Sequence, residues 1–213
     1  MTMRKLGLSI YPDHSDFEED KNYLHLGAHY GFTRLFMRLL EVTGSVDETT
    51  TNYQKIVGIA KDLGYQVIID VAPRIFSQLG VSYEDLTYFH ELGVDGIRLD
   101  QGFDGRPEAM LSYNPFGLII ELNMSNNVDY LNNILSYQAN EPFIYGCHNF
   151  YPQVGTALPY DFFMECSQRF KQFGIHSAAF VASQVGNIGP WNVNDGLPTL
   201  AVDRRLPIEV QAK

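Results

Sequence analysis

The chain has 213 residues, of which 45% are hydrophobic and 19% are charged, so it can fill one large core. This composition excludes a disordered chain, because disordered segments combine low hydrophobicity with high charge. Fifteen basic and twenty-five acidic residues give a net charge of −10, which repels polyanions and disfavours nucleic acid as a partner.

The N-terminal segment and the cysteine content both indicate a cytoplasmic protein. Met1–Lys5 leads into a short apolar stretch that lacks the length of a signal-peptide core and a small-residue cleavage site. There is no run of about 18 apolar residues, so we predict no membrane-spanning helix. Cys147 and Cys166 are too few for a disulfide framework, which favours a reducing compartment.

Seven short apolar segments bounded by turn residues are predicted to be buried parallel strands. They are Leu6–Ile10, Arg34–Leu40, Gln66–Asp70, Gly96–Asp100, Leu118–Asn123, Phe143–Asn149 and Ser177–Ser183. The intervals between them are amphipathic, and two begin with the spacing of a capping box, Ser15 with Glu18 and Ser82 with Asp85. Glycines stand where the helices are expected to end, at Gly31, Gly64, Gly93 and Gly174.

The alternation of strands and helices predicts an α/β fold and favours a (β/α)8 TIM-type barrel over an open doubly wound sheet. Alternation alone permits both, but the first strand carries no GxGxxG turn and no GxxxxGK[ST] motif is present. The last segment, Leu197–Lys213, is predicted to begin a helical connection, and no eighth strand follows it. We therefore expect an incomplete barrel of seven strands.

Polar side chains at the ends of five predicted strands are expected to meet at one opening, because alternate strand residues point into a barrel. They are Arg38, Asp70, Arg98, Asp100, Glu121, Asn123 and His148. Internal ion pairs, such as Arg98 with Asp70, are the structural alternative. Burying charge costs several kcal/mol per ion before compensation, so a cluster at strand ends favours a functional site.

Two carboxyl groups in one cleft suit glycoside hydrolysis. Asp100 and Glu121 are the best pair, Asp70 is a third candidate and Asp13 is a weaker fourth. A separation of ~5 Å between neighbouring strand ends would indicate a retaining mechanism, and ~6.5–9.5 Å would leave room for an inverting water. The sequence leaves this outcome open.

Other chemistries lack their usual residues. None of the six lysines ends a predicted strand, which argues against a Schiff-base enzyme. No HxH or HExxH pattern is present, so we expect no metal. Cys147 is expected to pack in the core, with its side chain turned away from His148.

The loops after the predicted strands carry groups that suit a phosphorylated sugar. Tyr11, Phe150, Tyr151 and Trp191 could stack on a sugar ring. The glycine-rich stretch 186–196 follows the seventh strand, where many barrels bind phosphate, although a plain flexible loop explains the same composition.

Four segments carry a resemblance to a known family. They are Ser9-Ile-Tyr-Pro-Asp-His-Ser15, Ile120-Glu-Leu-Asn-Met-Ser-Asn126, His148-Asn-Phe-Tyr-Pro-Gln153, and Gly189-Pro-Trp191 with Leu197-Pro-Thr199. In this order and across essentially the whole chain they resemble the 6-phospho-N-acetylmuramidases. The resemblance implies a bacterial cytoplasmic glycosidase of cell-wall recycling that needs no cofactor. Its substrate would be a small anionic amino-sugar disaccharide, 6-phospho-N-acetylmuramic acid linked to N-acetylglucosamine.

The resemblance also implies site residues by their positions in these motifs. They are Asp13 and His14, Glu121 and Asn123, and His148 and Asn149. Family members carry a cyclophilin-like domain after the barrel, so residues 1–213 are expected to be one truncated barrel domain with impaired or absent activity. The sequence specifies no oligomeric state.

These observations lead to one mechanism and two alternatives. We expect Asp100 and Glu121 to be the acid/base and nucleophile pair. Arg38 or Arg98, with the loop after the seventh strand, would neutralise the substrate's phosphate or lactyl carboxylate. The alternatives are a barrel that binds a phosphosugar without cleaving it, and a lyase or epimerase that uses the same carboxylates.

Overall fold

The computed structural model describes residues 4–39, 45–82, 84–126, 129–190, 193 and 195–213. Seven parallel strands form one sheet in chain order. They are β1 (Gly7–Ile10), β2 (Arg34–Leu39), β3 (Gln66–Val71), β4 (Gly96–Leu99), β5 (Ile119–Asn123), β6 (Ile144–Cys147) and β7 (Ser177–Ala178). Among the described residues β1 pairs only with β2 and β7 only with β6, so the curled sheet stays open. The predicted incomplete TIM-type barrel is confirmed.

Helices connect the strands, as the alternating pattern predicted. They are α1 (Phe17–His29), α2 (Val46–Asp62), α3 (Pro73–Leu79), α4 (Thr87–Leu92), α5 (Arg106–Leu111), α6 (Tyr130–Ser136), α7 (Tyr160–Gln172) and α8 (Ile208–Gln211). Short 3-10 turns occupy Glu141–Phe143 and Ala201–Arg205. The four glycines expected at helix ends follow α1, α2, α4 and α7 and have positive φ angles, which confirms those boundaries.

The helix starts differ from the predicted capping boxes. Asp16, not Ser15, caps α1, and its carboxylate accepts hydrogen bonds from the amides of Glu18 and Glu19. A charged carboxylate is favoured at this position by the helix dipole, and the Ser15 hydroxyl instead donates to the Tyr11 carbonyl oxygen. A full capping box, which the sequence analysis missed, begins α2 at Ser45. The predicted box at Ser82 is also wrong, because α4 begins only at Thr87.

Strand parity separates the main core from the interior of the half-barrel. On β2, Leu35, Met37 and Leu39 are fully buried in the large apolar core that includes helix residues such as Leu24. Phe36 faces the other way and belongs to a second, small aromatic cluster. Burial of the apolar face of each strand thus stabilises the fold, and the opposite face can carry polar groups.

The C-terminal segment bridges the open side of the sheet. The Gln211 side-chain amide accepts from the Ala182 amide at 2.8 Å and donates to the Ala182 carbonyl oxygen at 3.0 Å. The Arg4 guanidinium, just before β1, donates to the carbonyl oxygens of Ala212 and Lys213. A side chain therefore occupies the hydrogen-bonding groups of Ala182 that a neighbouring strand would pair, and β7 itself ends at Ala178, not at the predicted Ser183.

Candidate functional site

Arg98 lies at the centre of a polar cluster at the carboxyl end of the sheet. Its Nη1 donates to Asp70 Oδ1 at 2.8 Å and lies 3.4 Å from Asp100 Oδ1, while Nη2 donates to Asn149 Oδ1 at 2.5 Å. The Arg98 side chain is 1% exposed. Burial lowers the pKa of this guanidinium, but the nearby negative charges, Asp70 first, raise the pKa by a larger amount. The pKa of Arg98 therefore lies above its ordinary value. Arg98 is therefore a permanent buried cation.

Asp70 is held between two arginines. Its Oδ1 accepts from Arg98, and its Oδ2 lies 3.2 Å from Arg38 Nε. Burial raises the pKa of the Asp70 carboxyl, and the two guanidinium groups oppose that shift. Because each oxygen faces a cation inside the sheet, Asp70 organises the cluster and is closed to a ligand.

Asp100 is the carboxylate of this cluster that is open to solvent. Its side chain is 27% exposed, although Arg98 contacts it from below. Strand register places Arg98 opposite Glu121, so Asp100 is level with Asn123 at the rim. The Asn123 side-chain amide donates to the Asp100 carbonyl oxygen at 3.1 Å and fixes the backbone there.

Glu121 faces the same interior at a greater depth. It is level with Arg98, two residues below the rim, which is about 7 Å along the strand. Its side chain is fully buried and forms an ion pair with Arg34. Glu121 Oε1 is buried with no hydrogen-bond partner among the described residues. The structure brings Glu121 and Asp100 to one interior but not to one accessible surface.

His148 lies on the helix side of the sheet, so its predicted place at the opening is wrong. Its Nδ1 is 3.1 Å from Ser125 Oγ, its Nε2 is 3.0 Å from Ser167 Oγ on α7, and its ring packs on Phe163. The inward residue is Cys147, in register with Asn123. Burial, then Glu121, raises the pKa of the Cys147 thiol to about 12, so the thiol is not a nucleophile.

The stability of the protein is expected to fall between pH 6.5 and pH 4 because of His148. Burial and the Arg98 charge lower the pKa of His148 from its ordinary value of 6.5 to about 4. In this range the unfolded chain binds the proton and the folded chain does not, which removes on the order of 3 kcal/mol. Urea unfolding measured across this range should show a weaker pH dependence for His148→Gln. A dependence of stability on pH in His148→Gln as steep as that of the wild type would contradict the assignment.

Ser125 links the neighbouring site residues and was missed in the sequence analysis. Its Oγ accepts from the Asn149 amide at 2.8 Å and contacts His148 and the Tyr151 hydroxyl. Its amide donates to Asn123 Oδ1 at 3.0 Å. A serine beyond a strand end carries no charge and no periodic signal. The only available indication was its position in the segment around Glu121.

The residues after β1 reach the same mouth. Asp13 is exposed, and its Oδ2 lies 3.1 Å from the Tyr53 hydroxyl, which also contacts the Arg38 carbonyl oxygen at 2.5 Å. Tyr11 is buried beside Phe36 in the aromatic cluster, and burial raises the pKa of its hydroxyl.

His14 and Trp191 are the remaining predicted ligand-binding residues. The His14 side chain is exposed on the loop after β1. Trp191 lies outside the described residues.

The described part of the glycine-rich loop borders a groove of about 580 Å³. Arg204 ties this loop to the loop after β6 by donating to four carbonyl oxygens. They are those of Asp195, Gly196, Tyr151 and Gln153. Arg205 lines the groove and is exposed. A fixed guanidinium bonded to neutral acceptors and an exposed one beside it suit an anionic group.

Two kinds of feature are absent from the described residues. No group of three histidine, cysteine or acidic side chains in these ranges could hold a metal ion. No helix in the same ranges has the length and apolarity needed to cross a membrane.

A curled sheet of seven parallel strands connected by helices is an incomplete TIM-type barrel, and the candidate site residues described above lie at the carboxyl ends of its strands. The family described as "6-phospho-N-acetylmuramidase, N-terminal" matches residues 6–213. The chain belongs to this family, and the predicted family is confirmed.

Two solved structures are similar over almost the whole chain. An uncharacterized B. cereus protein is 55% identical with a TM-score of 0.88, and the match covers 99% of this chain and 57% of that chain. A conserved Enterococcus faecalis protein of unknown function is 24% identical with a TM-score of 0.78 over 94% of this chain and 54% of that chain, and it shares the fold. This chain thus spans little more than half of either structure. No curated protein matches it significantly.

Proposed function

We propose that the chain provides the site of a cytoplasmic bacterial glycosidase that hydrolyses 6-phospho-N-acetylmuramic acid linked to N-acetylglucosamine. Family membership supports the substrate class. The observation that carries the chemistry is the partly exposed carboxyl group of Asp100 at the carboxyl end of β4. No cofactor is required, because hydrolysis needs only water and carboxyl groups.

The proposed reaction adds one water molecule across the glycosidic bond. One carboxyl group protonates the bridging oxygen as its bond to the anomeric carbon breaks. The second carboxylate attacks that carbon or takes a proton from the attacking water. We assign one role to Asp100 and the other to Asp13, which is exposed just beyond the carboxyl end of β1 and accepts a hydrogen bond from the Tyr53 hydroxyl. Glu121 is the alternative to Asp13.

The direct test is to incubate the phosphorylated disaccharide with the chain and, in parallel, with the longer relative that is 55% identical, and to measure release of reducing N-acetylglucosamine. Calorimetry on the same preparations measures binding. Release by either protein supports the hydrolase, whereas binding without release by both indicates the alternative phosphosugar-binding barrel. Incorporation of solvent deuterium at a carbon would indicate the lyase or epimerase.

We also propose that the groove beside the glycine-rich loop receives the substrate's phosphate. Arg205→Ala is expected to weaken binding of 6-phospho-N-acetylmuramic acid about tenfold, because a charge-assisted hydrogen bond is lost. Binding of unphosphorylated N-acetylmuramic acid should not change. The control is Lys171→Ala, which removes an exposed cation from α7. Equal loss for both sugars, or none, would contradict this assignment, and Arg38 or Arg98 would then be the candidate anion partner.

A further inference from the structure

We propose that Ser125 is a positioning residue, backed by His148, that holds Asn149 and through it the contact between Arg98 and Asp100. The inference rests on the proposed function, because it gives Asp100 the reacting carboxyl group. Ser125 and His148 are themselves buried, at 8% and 1% exposed.

The contacts form a continuous path to Asp100. Ser125 Oγ accepts the Asn149 amide hydrogen at 2.8 Å, and Asn149 Oδ1 accepts from Arg98 Nη2 at 2.5 Å. The other terminal nitrogen of Arg98 contacts Asp100. Because a guanidinium is planar and rigid, the bond at Nη2 sets the direction of Nη1.

Asn149 is clamped at both ends of its backbone. Ser125 holds its amide, and the Thr199 hydroxyl donates to its carbonyl oxygen at 2.8 Å. Without the Ser125 hydroxyl only the Thr199 contact holds the Asn149 backbone. The Asn149 side chain is then free to rotate away from Arg98.

His148 makes the serine rigid. Its ring is 1% exposed, so water cannot replace it opposite Ser125. The Ser167 hydroxyl contacts His148 Nε2, and Phe163 packs on the face of the ring. These two contacts fix the orientation of the imidazole. The segment around Glu121 thus contributes Ser125, and the segment around His148 contributes the three groups that contact its hydroxyl, His148, Asn149 and Tyr151.

The test compares two buried serines that make equivalent hydrogen bonds. Ser112 Oγ accepts the Asn140 amide hydrogen at 2.7 Å, as Ser125 Oγ does for Asn149, but it lies at the end of α5 away from the cluster. Both Ser125→Ala and Ser112→Ala are expected to lower the melting temperature. Only Ser125→Ala should lower kcat, by about tenfold or more, with KM within about twofold, because substrate contacts are intact and the reacting group is misplaced.

Two further variants complete the experiment. Ser125→Thr keeps the hydroxyl and should restore most of kcat. If Ser125→Ala does not fold, His148→Gln, one contact further from Asn149, is expected to show the same selective loss. Equal kcat for the Ser125 and Ser112 variants of an active protein overturns the positioning role and leaves the hydrolase proposal intact. Binding of the disaccharide without product release, by both this chain and the longer 55% identical relative, overturns both proposals.

Discussion

Asp100→Asn is expected to slow hydrolysis by about 10²–10⁴-fold, the usual contribution of a positioned acid or base. The melting temperature should change little, because the Asp100 side chain is 27% exposed and an amide can still accept from Arg98. Release of reducing sugar and thermal unfolding measured on the same preparation separate the two effects.

Asp104→Asn is the matched control for this variant. Asp104 is exposed in the same loop and accepts from the Arg106 amide at 3.3 Å, outside the cluster. The Asp104→Asn variant removes one negative charge, as Asp100→Asn does, and should leave turnover unchanged. Normal turnover in Asp100→Asn would remove Asp100 from the reaction, and equal losses in both variants would indicate a general charge effect.

Glu121→Gln is expected to lower the free energy of unfolding by about 3–5 kcal/mol, because it leaves the Arg34 guanidinium without its buried counter-charge. The Glu121 side chain is fully buried in this ion pair. Urea unfolding gives the stability loss directly. Turnover per folded molecule should remain close to that of the wild type.

The double variant Arg34→Met with Glu121→Leu tests whether the cost is that of an unpaired charge. Replacing both partners with apolar groups should recover most of the lost stability. A large rate loss in Glu121→Gln without loss of stability would instead make Glu121 the second reacting carboxylate, as the sequence predicts, and would replace Asp13 in that role.

Strand parity predicted most of the cluster but not all of it. It placed Arg38, Asp70 and Arg98 on inward faces, and the structure joins these three through two ion pairs. It failed on β6, because pairing with β5 puts Cys147 on the inward face beside Asn123 and so turns His148 toward α7. Parity says which residues share a face, but which of the two faces points inward depends on the register with the neighbouring strand.

The depth of each carboxyl group in the barrel also could not be predicted from the sequence. Asp100 and Glu121 were expected to be equal partners, yet register places one at the rim and the other a level below. The difference decides which carboxyl group meets solvent, and it follows from how β4 and β5 are aligned.

The amino-acid sequence by itself determined the alternation of strands and helices, the positions of the helix-ending glycines and the family, because these depend on local patterns of apolar residues and on motifs. Only the tertiary structure decided that Arg34 neutralises Glu121, that Ser125 holds Asn149 and that Gln211 caps the open edge at Ala182. Each of these contacts joins residues far apart in the chain. Their partners are chosen by strand register and side-chain reach, which no local pattern contains.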